Sequence, residues 1–208
     1  IIAEESGRQD RRSEYTWAVD PLDGSFSFTA GVPYYSVSIG LLKNNYPILG
    51  VIYNISMKKL YCAQQSKWDY LNGKKIHVSN TDNLEQTAAS LEYGHRQKRQ
   101  AKIDRYITPL ATKVGYIYSF GSAAATLGMV ASGILDIYVN EAWIWDFTAG
   151  AVVIREAGGK VTDFAGGEPD WSKQRLSIVS SNGLMHDEIL KVLSPSLRGA
   201  SLRATWQS

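Results

Sequence analysis

The chain has 208 residues, of which 44% are hydrophobic and 20% charged, a composition typical of one globular body or two small lobes that share a core. Its formal net charge of +2 and its lack of a basic segment with interleaved aromatic residues argue against a nucleic acid polymer or a membrane surface as partner. Cys62 is the single cysteine, which excludes an internal disulfide and fits a reducing compartment such as the cytoplasm.

The first predicted elements are short. Residues 1–3 are apolar and predict the end of a buried strand, and the paired glutamates Glu4 and Glu5 that follow indicate a surface. The polar segment 8–14 predicts a solvated loop. Because the sequence begins at Ile1, within a strand and without a methionine, we expect the biological chain to extend upstream.

The stretch WAVDPLDGS, residues 17–25, combines two carboxylates with a turn and a helix start. Pro21 fixes its own φ and biases Asp20 toward extended geometry, so a strand is predicted to end here. Asp23 follows three residues after Asp20. Gly24 permits close backbone approach, and Ser25 with the following amides predicts a short helix over 25–30 whose start is a site for an anion.

Two carboxylates beside an anion site require cations between them. At about 4 Å and an effective dielectric of about 20, a carboxylate and a phosphate charge repel by roughly 4 kcal/mol. Divalent ions with oxygen ligands, above all Mg²⁺, remove that penalty. Two other interpretations exist. The residues are also a plain turn sequence. Phosphatases with an aspartate nucleophile place their carboxylates two residues apart, and the three-residue spacing of Asp20 and Asp23 argues against them.

From Tyr34 the pattern changes to strands. Residues 36–41 alternate polar and apolar, and residues 48–55 and 57–64 continue the pattern. Asn44-Asn45 and Asn72-Gly73 are turn signals, the second a strong hairpin signal. The sequence therefore predicts an antiparallel meander, and we assign residues 1–84 to a metal-site lobe that contains it.

Beyond Asn83 strands and helices alternate, which predicts a layered α/β lobe over residues 85–194. Strands are predicted at 88–93, 115–120, 134–139, 160–164 and 176–180, and helices at 97–112, 122–132, 147–157 and 184–193. Ser122 is interpreted as the N-cap of the second of these helices. Residues 195–208 predict a polar tail.

Asp146 has two interpretations that spacing alone leaves open. As the residue before an apolar helix it is a good N-cap. A carboxylate at a helix start can also turn outward to a metal ion.

A resemblance carried by several segments decides between these interpretations. The segments are, in order, Glu4-Glu5-Ser6, Asp20-Pro21-Leu22-Asp23-Gly24-Ser25, Val37-Ser38-Ile39-Gly40, Gly121-Ser122-Ala123-Ala124, Trp145-Asp146, Ala149-Gly150 and Glu156-Ala157-Gly158-Gly159. Their order and separations resemble the inositol monophosphatase family of Mg²⁺-dependent, lithium-sensitive phosphatases. The likeness covers nearly the whole chain, up to about Leu193.

The resemblance implies an α/β fold, an αβαβα sandwich of the inositol monophosphatase and fructose-bisphosphatase type, here without the N-terminal helices. It implies that the upstream extension expected above is a helical segment that covers the sheet. It also implies a homodimer.

The resemblance further implies a set of site residues. Glu4, Asp20 and the carbonyl of Leu22 hold a first Mg²⁺ ion, and Asp20, Asp23 and Asp146 hold a second, while a third ion in some members leans on Glu4. The amides of Gly24 and Ser25 bind phosphate. The Ser25 hydroxyl, where the family usually has threonine, helps Glu4 to orient and deprotonate the attacking water. No covalent enzyme intermediate is needed.

The substrate loops depart from the family pattern. The segment 136–146 is one residue shorter than in inositol-specific members, so that Asn140 or Glu141 stands where a glutamate that binds a sugar hydroxyl is expected. We expect the leaving alcohol to lie near Ser122, Ala123, Asn140 and Glu141. Trp143 is interpreted either as an apolar wall for a sugar or base or as packing.

The sequence thus predicts a metal-dependent phosphomonoesterase that acts on a small phosphorylated metabolite by metal-activated water in an in-line displacement. Related phosphatases of sugar bisphosphates, of nucleotide 3′(2′),5′-bisphosphates or of histidinol phosphate are alternatives. A non-catalytic binding relative is a further alternative, against which the retained acidic residues argue.

Overall fold

The structure, a computed structural model, describes residues 1–5, 7–8, 13–94 and 96–194. The strands are β1 (Ile2–Ala3), β2 (Gly7–Arg8), β3 (Tyr15–Asp23), β4 (Ser36–Lys43), β5 (Tyr46–Asn54), β6 (Lys59–Gln64), β7 (Trp68–Leu71), β8 (Lys74–Lys75), β9 (Ala88–Leu91), β10 (Tyr116–Tyr118), β11 (Ile137–Trp143), β12 (Lys160–Thr162) and β13 (Arg175–Ser181). The helices are α1 (Ser25–Thr29), α2 (Arg96–Lys102), α3 (Thr108–Ala111), α4 (Ala123–Ala131), α5 (Ile144–Glu156) and α6 (186–194), with a wide helical turn at Ile103–Ile107 that joins α2 to α3. No helix in these residues is long and apolar enough to cross a bilayer.

The first sheet has the strand order β2-β1-β3-β4-β5-β6-β7-β8. Strands β3 to β8 form the predicted antiparallel meander, and Asn44, Asn45 and Asn72 take the positive φ values that tight hairpins need. One expectation for this region is wrong. Arg8 was expected to lie in a loop, but it belongs to β2, which pairs antiparallel with β1. The rest of the expected loop at 9–12 lies outside the described residues.

Strand β3 does not end at Pro21. It runs on to Asp23, and its register with β4 shifts between Asp20, which pairs with Ser38, and Asp23, which pairs with Ser36. A proline has no N–H to donate, and an irregular segment of a strand tolerates that loss. The proline therefore marks the irregularity rather than the end of the strand, and both carboxylates stay on β3.

The second sheet has the order β10-β9-β11-β13-β12. Tyr138 and Ile178 belong to the hydrophobic core that also contains α4, α5 and the first sheet, whereas Ile137 and Val139 belong to a second core with α3 and α6. This alternation places helices on both faces of the second sheet. The layers thus run sheet, helices, sheet, helices, which confirms the layered fold. The helical layer expected upstream of Ile1 and the lobe boundary near residue 84 stay predictions.

A row of small residues crosses the first sheet beneath α5. Ala18 pairs with Gly40, Gly40 with Gly50, and Gly50 with Ala63, and all are buried. A Cβ atom built on Gly50 would lie 2.3 Å from the carbonyl oxygen of Ala149 in α5. The helix backbone therefore lies directly against the strand backbone, which leaves no room for a side chain between them.

His186, at the start of α6, is fully buried between two hydroxyl groups. Its Nδ1 lies 2.8 Å from Ser181 Oγ and its Nε2 lies 2.8 Å from Thr162 Oγ1. Because Thr162 Oγ1 donates its own hydrogen to the carbonyl of Asp163, it accepts from Nε2, which assigns the proton of the neutral ring to Nε2. Burial, assisted by the charge of Lys160, lowers the pKa of His186 to about 4.

We expect His186 to weaken the fold in acid. The histidine binds a proton near pH 6.5 in the unfolded chain but only near pH 4 in the folded chain. Between these values the unfolded chain binds more protons, so the free energy of unfolding falls as the pH falls. A difference of this size corresponds to about 3 kcal/mol. The measurement is urea unfolding of the wild type and of His186→Gln from pH 4 to pH 7, with the exposed His77→Gln as the matched control. The stability of the wild type relative to H186Q should fall toward pH 4, and a constant difference would contradict the assignment.

Candidate metal centre and substrate cleft

Three carboxylates line a cleft of about 410 Å³ to which strands of both sheets contribute. Asp20, Asp23 and Asp146 each offer an oxygen atom, and these atoms all lie within 4.8 Å of one another. The irregular end of β3 supplies the first two carboxylates, and the first turn of α5 supplies the third. The cluster is therefore built across the contact between α5 and the first sheet.

Asp23 is the most firmly held of the three. Its Oδ2 accepts hydrogen bonds from Ser122 Oγ at 2.5 Å, Ser36 Oγ at 2.9 Å and the amide of Ala124 at 2.8 Å, and its Oδ1 accepts from the amide of Ala123 at 3.0 Å. The carboxylate thus caps the first turn of α4 from a distant strand. Burial raises the pKa of Asp23, and these four hydrogen bonds oppose the rise.

Asp20 is buried with less support. Its Oδ1 accepts one hydrogen bond, from the amide of Leu22 at 2.9 Å. Burial first, then the charges of Asp23 and Asp146, raises the pKa of Asp20 to about 9. Without a cation, this carboxyl group therefore holds a proton at neutral pH.

Asp146 is both a helix-start residue and a member of the cluster. It does not precede the helix as expected: α5 begins at Ile144, and Asp146 Oδ2 accepts a hydrogen bond from the amide of Trp143 at 2.7 Å. Burial, followed by the charge of Asp23, raises the pKa of Asp146 to about 7. Its two interpretations are therefore compatible, because one oxygen satisfies the helix start while the carboxylate faces Asp20 and Asp23.

The donor set fits divalent cations. Among the described residues, no lysine, arginine or histidine forms an ion pair with any of the three aspartates. Three carboxylates this close, all with raised pKa values, lack the positive charge that would let them ionise together. Hard cations with oxygen ligands supply that charge, and Mg²⁺ is the common choice for carboxylates beside a phosphate.

The other predicted metal and phosphate residues line the same cleft. Glu4 is exposed and lies outside the close group, but its charge acts on both Asp20 and Asp146. Leu22 lies between the two aspartates of β3. Gly24 has φ +86°, and a Cβ atom there would lie 3.0 Å from the Tyr34 carbonyl, so only glycine fits this turn. Ser25 begins α1 at the cleft.

The residues predicted to bind the substrate do not all face the cleft. Ala123, Asn140 and Glu141 line the cleft, whereas Ser122 is buried and its hydroxyl donates to Asp23. Ser122 is the N-cap residue of α4, as predicted, but its side chain does not bind the helix amides, because Asp23 accepts their hydrogen bonds instead. Ser122 therefore supports a candidate metal ligand and does not face a substrate.

Asn140 and Glu141 are both engaged in hydrogen bonds. Asn140 Oδ1 accepts from Lys102 Nζ at 2.7 Å, and Asn140 Nδ2 donates to the Tyr138 hydroxyl at 2.8 Å. Glu141 Oε1 accepts from Arg105 and from Ser177 Oγ. A hydroxyl of a substrate therefore meets groups that already have partners.

Several cleft residues were missed from the sequence, chiefly Glu92, Lys102 and Arg175. Glu92 is buried and accepts from Ser119 Oγ and from the amides of Phe120 and Gly121. The burial of Lys102 could have been predicted, because it lies between the apolar residues Ala101 and Ile103 on a predicted amphipathic helix. In the structure Lys102 is only 6% exposed. Arg175 Cζ lies 4.6 Å from the ring centroid of Trp143, which stacks on Trp145. Trp143 therefore both packs and forms a wall of the cleft.

Comparison with known proteins gives consistent matches. The chain matches the sequence model of the inositol monophosphatase family over residues 1–198. It is 37% identical over 196 residues to the fructose-1,6-bisphosphatase/inositol-1-monophosphatase of Aquifex aeolicus, covering 92% of this chain and 72% of that protein. It is 35% identical over 196 residues to inositol monophosphatase 2 of Solanum lycopersicum, covering 92% and 73% respectively. The inositol monophosphatase from Anabaena (Nostoc) sp. PCC 7120 has a similar structure, with a TM-score of 0.84 and 33% identity over 93% of this chain and 77% of that chain.

Proposed function

Because the chain belongs to the inositol monophosphatase family of phosphatases, we propose that it hydrolyses small phosphate monoesters with the help of bound Mg²⁺. The observation that carries the proposal is the buried cluster of Asp20, Asp23 and Asp146, which lines an open cleft. With Glu4 and the Leu22 carbonyl, these residues would hold two or three ions.

In this proposal the protein residues bind and orient the reactants. The amides of Gly24 and Ser25 bind the phosphate, and Glu4 with the Ser25 hydroxyl orients the attacking water and takes its proton. The hydrogen bonds from α4 and from Ser36 keep the Asp23 carboxylate in place. Bound cations would lower the pKa of water and neutralise charge on the entering and leaving oxygens.

The engaged side chains of Asn140 and Glu141 support broad selectivity. A site that discriminates strongly for a substrate hydroxyl keeps a buried partner free for it. Here the polar atoms of Asn140 bind Lys102 and Tyr138, and Glu141 binds Arg105 and Ser177. We therefore propose that inositol monophosphate is accepted without strong preference. A homodimer, a cytoplasmic location and inhibition by lithium are further parts of this proposal.

Phosphate release from a panel of esters tests the function. With Mg²⁺ we expect turnover of inositol 1-phosphate, fructose 1,6-bisphosphate, adenosine 3′,5′-bisphosphate and histidinol phosphate, with kcat/KM values within about a hundredfold, or ~2.7 kcal/mol, of one another. In excess chelator we expect none. Turnover without a divalent ion, or no turnover of any ester with one, would reject the proposal, whereas a larger preference for the inositol ester would reject only its statement on selectivity.

A further inference from the structure

A buried ammonium group lies in the cleft that holds the acidic cluster. Lys102, the last residue of α2, is 6% exposed, and it lines the cleft together with Asp20, Asp23 and Asp146. Its Nζ packs against Gly94, where a Cβ atom would lie 3.0 Å away. The absence of a side chain at Gly94 thus leaves space for the Lys102 ammonium group. Most proteins keep such a charged group in contact with water.

The protein satisfies this ammonium only in part. An ammonium group has three N–H donors, and Lys102 donates to Asn140 Oδ1 at 2.7 Å. In the described part of the chain no carboxylate forms an ion pair with it. Glu92 and Glu141 lie close enough to favour its charged form, but their oxygens accept from Ser119, Arg105 and other donors. Burial is the main effect on the pKa of Lys102 and lowers it.

A second cation lies beside the first. The charge of Arg175 acts unfavourably on Lys102, and its guanidinium is held over the ring of Trp143 without an ion pair among the described residues. Two cations that repel each other and face one cleft are typical of a site for an anion. The acidic cluster lies in the same cleft and has the opposite sign, so one substrate can meet both.

We infer that Lys102, with Arg175 beside it, is a specificity-determining residue that binds a second anionic group on the alcohol part of the substrate. The inference rests on the proposed function. With the reacting phosphate at the acidic cluster, a distal phosphate would accept the remaining N–H groups of Lys102. A neutral polyol such as inositol offers these N–H groups no anionic acceptor, so sugar bisphosphates fit this cleft better than neutral alcohols.

Lys102 has a purely structural alternative, in which it only holds Asn140 in place. The two roles differ in which substrate they affect. Loss of a support for Asn140 would harm every ester, whereas loss of an anion site harms only the ester that carries the second anion. The test therefore compares fructose 1,6-bisphosphate with fructose 1-phosphate, which differ only in the distal phosphate.

In the wild type with Mg²⁺ we expect a higher kcat/KM for the bisphosphate. Lys102→Met should lower that value by about 10- to 100-fold, the usual effect of one hydrogen bond to a charged group, mainly through KM, and leave fructose 1-phosphate nearly unaffected. Lys102→Arg should restore part of the loss. The exposed Lys74→Met, on edge strand β8, is the matched control for lost charge and should behave as the wild type.

The outcomes separate the two proposals. An equal loss for both esters in K102M, or no loss, overturns the inference and leaves the proposed function standing. A wild type that hydrolyses inositol 1-phosphate but neither fructose ester overturns the inference and leaves the proposed function standing, whereas a wild type that hydrolyses no ester of the panel rejects both. If melting curves show that K102M does not fold, Arg175→Gln replaces it. The same selective loss is then expected, and an equal loss for both esters again overturns the inference.

Discussion

Replacement of Asp20 by asparagine is expected to abolish catalysis and yet stabilise the cation-free protein. Asparagine keeps an oxygen for the Leu22 amide, so the fold loses no hydrogen bond there. It removes one charge from the acidic cluster, and with it the cation site. We expect kcat/KM with Mg²⁺ to fall by at least about a thousandfold, or roughly 4 kcal/mol of transition-state stabilisation.

The stability effect of Asp20→Asn has a defined pH dependence. Asp20 has a pKa of about 9 in the folded chain, against an ordinary value of 3.8, so between these values the unfolded chain has lost a proton that the folded chain keeps. Asp20 alone therefore lowers the free energy of unfolding of the cation-free wild type as the pH rises, by up to about 1.4 kcal/mol per pH unit. D20N lacks this contribution, so the two proteins should have similar free energies of unfolding near pH 4, and D20N should be the more stable at pH 8.

Melting curves in chelator and in Mg²⁺ make the measurement. Mg²⁺ at about 100 times its Kd stabilises a protein by about 2.7 kcal/mol, and we expect this gain in the wild type and not in D20N. The exposed Asp187→Asn, which removes a charge from a surface ion pair with Lys160 and from no residue that lines the cleft, is the control. A D20N protein that still gains stability from Mg²⁺ would contradict a ligand role for Asp20.

Replacement of Asp23 by asparagine is expected to damage the fold as well as the site. Four donors surround the Asp23 carboxylate, from Ser36, Ser122 and the amides of Ala123 and Ala124. In either orientation the asparagine NH₂ group faces at least one of these donors and leaves it unsatisfied in a buried place. We expect a loss of about 3 kcal/mol, or roughly 6–12 °C in Tm for a chain of this size.

The comparison of D23N with D20N separates the effect of lost hydrogen bonds from the effect of a lost carboxyl group. Both variants replace one carboxyl group of the same cluster by a neutral amide, so both lose a candidate cation ligand. Only D23N breaks the hydrogen bonds to the start of α4. Ser122→Ala, which removes one of the four donors and no charge, should lie between D23N and the wild type in stability. A D23N protein as stable as D20N in chelator would show that these four bonds do not stabilise the fold.

The acidic cluster was predictable because its residues are close together in the sequence or carried by short family motifs. Asp20 and Asp23 are three residues apart, and Asp146 lies at the start of an apolar helix. The meander was predictable from its alternation and from the Asn44-Asn45 and Asn72-Gly73 turns. These signals depend only on residues that are near one another in the chain, so they can be read from one sequence.

The hydrogen bonds and packing contacts that hold the site residues in place were not predictable, because they join residues that are far apart in the sequence. Asp23 caps α4 across about a hundred positions, and that displaced the side-chain cap predicted for Ser122. Pro21 was expected to end β3, but the register shift with β4 absorbs it. The apolar neighbours Ala101 and Ile103 indicate burial of Lys102, but only the packing of α2 against Gly94 and Asn140 brings its charge to the cleft.

The row of small residues beneath α5 links the geometry of the acidic cluster to the packing of the core. Asp146 is carried by a helix that rests on Gly40 and Gly50, while Asp20 is carried by the strand next to Gly40. A methyl group added at Gly50 would move the helix relative to the sheet, and the carboxylates would separate by the same displacement. Substitutions more than one layer away from any reactant would then act like lesions of the active site. In a genetic screen for lost activity, Gly40 and Gly50 would be recovered beside the acidic residues themselves.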